Sequence, residues 1–106
     1  MNVIFLDKAL EELYCDGKTT SKKYKKLCKN AKLVAGYQRA VKALYEVDCT
    51  KDLKEISFLH YEKLKKDKRS CLRILNGEIE RLLFYETKNG IEVELIEIDN
   101  THYGTK

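Results

Sequence analysis

The fold is decided by residues 71–98, which read CLRILNGEIERLLFYETKNGIEVELIEI. Two pairs, Asn76-Gly77 and Asn89-Gly90, divide this stretch, and Asn-Gly between apolar runs is a strong signal for a β-hairpin turn. The last segment alternates apolar and acidic residues, as a strand does when one face is buried and the other is solvated. The stretch therefore predicts a three-stranded antiparallel meander. Its strands are residues 71–75, 79–85 and 91–98.

The N-terminal half has the pattern of one strand followed by helices. Residues 2–6 form a short apolar run rich in β-formers, which predicts a first strand. Asp7 then has the position of a helix N-cap, and Asp16-Gly17 ends that helix. A second helical stretch starts near residue 20, and apolar residues at helical spacing run over 33–45.

These patterns together predict an α+β fold. The expected order is an N-terminal strand, two or three helices, and then a C-terminal antiparallel β-meander, with the helices on one face of the sheet. We also expect a short strand over residues 56–60. The length of 106 residues matches one ordinary domain, so residues 1–106 are predicted to form a single domain.

Composition excludes several classes of protein. No apolar run is long enough to cross a membrane, and the first residues lack the basic region and cleavage site of a signal peptide. The cysteines are far apart and neither histidine lies beside one, whereas zinc ligands usually occur in close pairs. We therefore expect a cytoplasmic protein with reduced thiols, no metal and no cofactor. The four cysteines are Cys15, Cys28, Cys49 and Cys71.

The net charge of +4 is modest, but its distribution along the chain is uneven. Residues 18–32 contain seven lysines and no acid, and residues 63–73 contain six cations and one acid. Residues 86–99 contain five acids and one cation. Such asymmetry predicts one face that binds a polyanion such as RNA. For residues 18–32, a solvated helix surface is the favoured interpretation.

Three local stretches carry a resemblance to a known family. Residues 59–65 read LHYEKLK, residues 73–81 read RILNGEIER, and residues 98–102 read IDNTH. In this order and spacing they resemble the RelE/ParE toxin superfamily of type II toxin–antitoxin systems, and most closely its HigB branch. The resemblance implies a metal-independent endoribonuclease that cuts messenger RNA in the ribosomal decoding site. It also implies a cognate antitoxin protein, the ribosome and messenger RNA as partners, and no membrane.

Cutting RNA through its own 2′-hydroxyl needs a base, an acid and cations that hold the charge on the phosphate. Histidine suits the first two roles because its pKa lies near neutrality, and this chain has two histidines. Following the resemblance, we expect His60 and His102 to flank the scissile phosphate, with Asp99 orienting one of them. Arg81 is the expected phosphate ligand on a central strand. Tyr103 is expected to stack on a base or to donate its hydroxyl.

The basic stretch 63–73 is expected to position the RNA without cutting it. It lies between His60 and Arg81 in the sequence, so we interpret it as the entrance of a hairpin beside the catalytic residues. Its cations would hold the flanking phosphates of the messenger or of ribosomal RNA. The residues assigned to this role are Lys63, Lys65, Lys66, Lys68 and Arg73.

Two alternatives stay open at the level of sequence. ParE-type relatives share the fold and poison DNA gyrase, so the fold alone does not decide between the activities. A non-catalytic RNA-binding domain would also explain the lysine runs. For the lysines of residues 18–32, contact with ribosomal RNA and contact with an acidic antitoxin segment that covers the site both stay open.

Overall fold

The computed structural model describes residues 1–64 and 68–100. Its architecture is α+β, with an N-terminal strand, helices and then antiparallel strands, as the sequence predicts. The helices are α1 (Lys8–Asp16), α2 (Lys25–Cys28) and α3 (Ala31–Glu46). The strands are β1 (Asn2–Phe5), β2 (Glu62–Lys63), β3 (Arg69–Arg73), β4 (Arg81–Thr87) and β5 (Glu92–Asp99).

The described strands form one five-stranded sheet in the order β1-β5-β4-β3-β2. The antiparallel meander is confirmed in β3, β4 and β5. The pairing of β1 was not predicted: it lies parallel to β5, at the outer edge of the sheet. β1 and β2 add one strand to each side of the meander, so β4 is the central strand of the five.

The helix boundaries follow from local side-chain chemistry. The Asp7 carboxylate accepts a hydrogen bond from the Ala9 N–H at 2.9 Å and starts α1. Gly17, at φ 72°, ends α1 in the left-handed conformation that glycine adopts without strain. Asn30 starts α3 by accepting a hydrogen bond from the Leu33 N–H at 3.2 Å. The second helical stretch therefore breaks at residue 30, which gives three helices.

The core lies between the helices and one face of the sheet. Tyr37 of α3 is completely buried, and its hydroxyl donates to the Leu10 carbonyl oxygen of α1 at 2.7 Å. Each large apolar side chain buried in this way contributes about 1.5–3 kcal/mol. The fully buried leucines and phenylalanine of this core include Leu10, Leu13, Leu44, Leu72, Leu82, Phe84 and Leu95.

The expected strand over residues 56–60 is wrong. Ser57–Leu59 form a 3₁₀ turn, and His60 follows it in the left-handed conformation at φ 46°. Leu59 is buried while Phe58 is 40% exposed, so a single apolar side chain anchors the turn to the core. A residue at positive φ interrupts an extended strand, and pairing with the sheet begins only at Glu62.

The two Asn-Gly pairs behave differently. Asn89-Gly90 forms the connection between β4 and β5 as predicted, with both residues at positive φ. Asn76-Gly77 instead lies within a longer loop, residues 74–80, so β4 starts at Arg81 and not at residue 79. Ile74, the first residue of this loop, is buried in the core.

Gly36 in α3 is explained by the same loop. A Cβ atom at this position would lie 2.3 Å from the carbonyl oxygen of Ile74. The absence of a side chain therefore lets the backbone after β3 approach the helix closely. This contact fixes the loop that joins β3 to β4.

A bulge in β5 explains why two apolar residues, Leu95 and Ile96, are adjacent in a strand that otherwise alternates apolar and acidic residues. Leu83 pairs with Glu97 and Phe84 pairs with Leu95, so Ile96 is an extra residue. One inserted residue shifts the alternation of side chains. Leu95 and Ile98 consequently both belong to the core, although they are three residues apart.

Candidate functional site

The sheet has one face in the core and one face that points away from it. Leu72, Leu82 and Phe84 belong to the core, and successive side chains of a strand point to opposite faces. The residues between them on β3 and β4 therefore lie on the second face, which we call the open face. This face carries three cross-strand rows of side chains.

The first row contains three of the predicted site residues. Arg73 lies opposite Arg81, and Arg81 lies opposite Asp99. Directly opposed residues have Cβ atoms about 4.5–5.5 Å apart, so these side chains start close together. We call Arg73, Arg81 and Asp99 the arginine row. It places two cations and one carboxylate at one end of the open face.

Arg81 is held in place by backbone groups. Its Nη1 donates to the carbonyl oxygens of Glu78 at 2.9 Å and Glu80 at 3.1 Å. Both bonds involve Nη1, so they orient the guanidinium without engaging its Nε or Nη2 donors. Because β4 is the central strand, the backbone of Arg81 is paired with strands on both sides.

Arg73 is half-buried beside it, and its Nε has no hydrogen-bond partner among the described residues. Leaving a buried donor unpaired costs about 1–3 kcal/mol. The residue after it, Ile74, is fixed against α3 at Gly36. An anion that binds at the row would supply the acceptor that Arg73 lacks within residues 1–64 and 68–100.

The middle row is an apolar floor. Cys71 is 2% exposed and Leu83 is completely buried, although both lie on the open face. Burial, together with the Glu62 carboxylate whose Oε1 lies 3.9 Å from the sulfur, raises the pKa of Cys71 to about 11. The thiol is therefore protonated at neutral pH and does not serve as a nucleophile.

The third row crosses the opposite end of β3. Arg69 lies opposite Tyr85, and Tyr85 lies opposite Glu94. Tyr85 is 38% exposed. The open face thus has cations on β3 and β4 and carboxylates on β5.

His60 lies beside the end of β2. It is exposed, and it precedes a strand whose register pairs Glu62 with Cys71. Pairing with β3 begins only at Glu62, so the register gives His60 no partner on β3 and does not bring it into the arginine row.

The predicted RNA-binding lysines are not one cluster with the arginine row. Lys63 pairs with Ser70, which lies on the core side of β3, and its Nζ is 3.8 Å from the Glu86 carboxylate. Lys68 is exposed at the far end of β3. The other assigned residues lie outside the described residues: Lys65, Lys66, His102 and Tyr103.

Sequence reasoning missed a half-buried carboxylate, Glu86, that is surrounded by hydroxyl groups. Glu86 accepts hydrogen bonds from Ser70 at 2.6 Å and from Tyr61. Burial alone would raise the pKa of Glu86, but the hydrogen bonds from Ser70, Tyr61 and Thr50 outweigh it and lower the pKa. The signal was present in β4, because the alternation that buries Leu82 and Phe84 also turns Glu86 inward.

The lysine-rich segment 18–32 meets the sheet near the arginine row. Lys23 forms an ion pair with Glu97 at 2.7 Å, which raises the pKa of the lysine. Tyr24 is buried next to it, and its hydroxyl accepts a hydrogen bond from the Ile98 N–H. All seven lysines of the segment are exposed.

Within residues 1–64 and 68–100, no group of three or more histidine, cysteine, aspartate or glutamate side chains could hold a metal ion. The four cysteines are free. None of the described helices is both long and apolar enough to span a membrane. Comparison with models of known protein families gives no match, and comparison with curated proteins gives none either.

Proposed function

We propose that this protein is the toxin of a type II toxin–antitoxin pair and cleaves messenger RNA on the ribosome. The observation that carries the proposal is the arginine row, in which Arg73 and Arg81 lie opposite each other on neighbouring strands of the open face. Arginine is suited to this role because its planar fork matches the oxygens of a phosphate. The resemblance of residues 59–65, 73–81 and 98–102 to the HigB branch supports the choice of substrate.

The proposed reaction breaks the phosphorus–oxygen bond to the 5′-oxygen of the next nucleotide. A base removes the proton of the 2′-hydroxyl, the oxygen attacks the phosphorus, and an acid donates a proton to the leaving 5′-oxygen. The products are a 2′,3′-cyclic phosphate and a 5′-hydroxyl. Arg73 and Arg81 hold the negative charge that builds up on the phosphate oxygens.

The acid and the base are assigned to His60 and His102. His60 precedes the strand beside Arg73, and His102 follows Asp99 by three residues in the sequence. Asp99 is assigned the role of orienting one imidazole, and Tyr103 that of contacting a base or donating its hydroxyl. On this proposal the protein acts in the cytoplasm, and its antitoxin covers the open face.

The decisive experiment is a translation-coupled cleavage assay on the wild-type protein and on the His60→Ala/His102→Ala double variant. We expect the wild type to cut messenger RNA and the folded double variant to lose cleavage while still binding RNA. A double variant that arrests growth as strongly as the wild type would remove the catalytic assignment. It would favour a non-catalytic RNA-binding domain.

An assay of DNA gyrase distinguishes the proposed function from the remaining alternative, a ParE-like gyrase inhibitor. A ParE-like protein would inhibit DNA supercoiling in vitro, and its toxicity would not be accompanied by new messenger RNA ends. We expect the opposite result here, with supercoiling unchanged at concentrations that stop translation. Inhibition of gyrase without RNA cleavage would overturn the proposed function.

A further inference from the structure

Tyr85 differs from the other aromatic residues of the described structure. Most of the others have a ring or cation beside them: Phe5 and Tyr45 both stack on Tyr14, Tyr61 stacks on Phe84, and Phe58 lies under Arg39. The remaining two, Tyr24 and Tyr37, are buried and hydrogen-bonded.

Within residues 1–64 and 68–100, Tyr85 is the aromatic ring with neither burial nor a ring or cation contact. It is exposed although it lies on β4, the central strand of the sheet. A tyrosine exposed in the middle of a sheet offers a flat surface to an incoming ligand.

The surroundings of Tyr85 indicate what that ligand is. Arg69 lies opposite it on β3, and Arg81 lies four residues earlier on the same face of β4, about 13 Å away at 3.3 Å per residue. Between the two positions lie Cys71 and Leu83, which are buried and present almost no surface to a ligand. Tyr85 therefore has a cation, Arg69, opposite it on β3 and a carboxylate, Glu94, opposite it on β5. An exposed ring with a cation on one side is an arrangement that binds unpaired nucleobases, through stacking of the base and attraction of its phosphate.

We propose that Tyr85 stacks on an unpaired base of single-stranded RNA whose neighbouring phosphate is held by the arginine row. The inference rests on the proposed function, since it assumes RNA on the open face. It assigns a base-contacting position to a residue outside the catalytic set. The same position on β4 also limits the substrate to unpaired RNA, because a paired base within a helix stack does not expose its face to the ring.

The chain contains no tryptophan, which allows a direct optical test. Tyr85→Trp places one indole at the proposed stacking position, and titration with an unstructured RNA oligonucleotide should quench its fluorescence in a saturable way. The matched control is Tyr45→Trp. Tyr45 is 44% exposed and lies on α3, within the helical layer. We expect its fluorescence to stay unchanged in the same titration.

The affinity of the variants for single-stranded RNA is the second measurement. Base–aromatic stacking by one residue predicts that Tyr85→Ala raises the Kd for single-stranded RNA about fivefold to 150-fold. Tyr85→Phe retains the ring and should bind within about twofold of the wild type. Because Tyr85 is exposed, unfolding in urea should show that the alanine variant is folded.

The outcomes separate this inference from the proposed function. If Arg81→Ala weakens RNA binding but Tyr85→Ala does not, RNA binds the open face and the stacking role is wrong. If the wild type binds no free RNA oligonucleotide, the stacking inference is wrong, whereas the proposed function is overturned only if the wild type cuts no messenger RNA in the translation-coupled assay. If Tyr85→Ala weakens binding of a protein partner and leaves RNA affinity intact, the ring is a protein contact and the inference is overturned.

Discussion

Each end of β4 carries a partly buried charged side chain, Glu86 at one end and Arg81 at the other, and the charges around these two side chains differ. At its C-terminal end, Glu86 receives hydrogen bonds from Ser70 and Tyr61 and lies 3.8 Å from Lys63. At its N-terminal end, Arg81 lies next to Arg73. The first charge is neutralised inside the protein, while the second lies between a charge of the same sign, Arg73, and one of opposite sign, Asp99.

This difference indicates which end stabilises the fold and which end serves a ligand. Like charges in direct opposition destabilise a sheet, so a pair of arginines costs free energy that some other role must justify. The carboxylate of Asp99 offsets one of the two charges in the row, which leaves one in excess. Mutations at the two ends should therefore separate activity from stability.

The largest effect is expected at the arginine row. Arg81→Ala should lower the rate of RNA cleavage about 100-fold to 1000-fold, the usual cost of removing one donor that stabilises charge in a transition state. The free energy of unfolding should change little. Cleavage kinetics and urea unfolding measure the two quantities.

The matched control for this variant is Arg39→Ala. Arg39 is exposed on α3, where its guanidinium lies 4.9 Å from the centre of the Phe58 ring. Removing it takes away the same charge at a distance from the row, and cleavage should stay within about twofold because surface charges away from the site contribute little. Equal losses in the two variants would show that net charge matters and the position of Arg81 does not.

The next effect is expected at the other end of the strand. Glu86→Ala leaves the hydroxyls of Ser70 and Tyr61 without their acceptor, so it should lower the free energy of unfolding by about 2–3 kcal/mol. Glu46→Ala, an exposed carboxylate on α3, should change it by less than about 0.5 kcal/mol. The comparison between the two ends of β4 fails if Glu86→Ala, measured well below its unfolding midpoint, loses cleavage as Arg81→Ala does.

A smaller effect is expected where α3 supports the row. Gly36→Ala adds a Cβ that meets the Ile74 carbonyl oxygen, and such overpacking costs about 1–3 kcal/mol. Alanine gains about 1 kcal/mol in helix propensity, so the net loss should be about 0–2 kcal/mol. Cleavage should also fall, because Ile74 directly follows Arg73. Ala35→Gly, on the exposed side of the helix, should cost about 1 kcal/mol with cleavage unchanged.

The smallest expected effect is a decrease in the free energy of unfolding at acid pH. The pKa of Glu86 in the folded protein is lowered from its ordinary value of 4.5, so the unfolded chain binds a proton more readily. The stabilisation is complete above pH 4.5 and is lost as the pH falls through the lower, folded pKa. Unfolding of the wild type and of Glu86→Gln between pH 7 and pH 3 tests this. The difference between their stabilities should shrink at acid pH, and a constant difference would contradict the role of the ionised carboxylate.

Much of the fold follows from short-range chemistry in the sequence. Asp7, Gly17 and Asn30 mark helix ends through hydrogen bonds or dihedral angles that depend on a few neighbouring residues. Asn89-Gly90 gives its turn in the same way. These features are predictable because the cause and its effect lie within about four residues of each other.

The features that were wrong or missing depend on distant contacts. Asn76-Gly77 has the chemistry of a tight turn, but it lies in a loop that begins at Ile74, whose backbone packs against Gly36 of α3. The parallel pairing of β1 with β5 depends on which edge of the meander remains available. No local pattern carries that information.

For the candidate site, sequence indicated Arg73, Arg81 and Asp99 as separate residues, and the register of three strands brings them into one row. It did not separate Lys63 from that row. Lys63 lies on the core-facing side of the sheet, where its ammonium group is near the Glu86 carboxylate. Which face a strand residue occupies depends on the pairing register, and the sequence alone did not fix that register. Tyr85 was missed because an aromatic residue in a strand usually packs.

The parallel pairing of β1 with β5 also sets an order of events during synthesis. Asn2 and Glu92 are joined by a hydrogen bond across 90 residues of chain. At about 5–20 residues per second, a ribosome makes β1 about 5–18 seconds before its partner strand. During that time the arginines of β3 and β4 are made, but Asp99 and the strand that completes the sheet are not. A ribosome therefore finishes most of this chain before the protein can acquire the site proposed to attack translation.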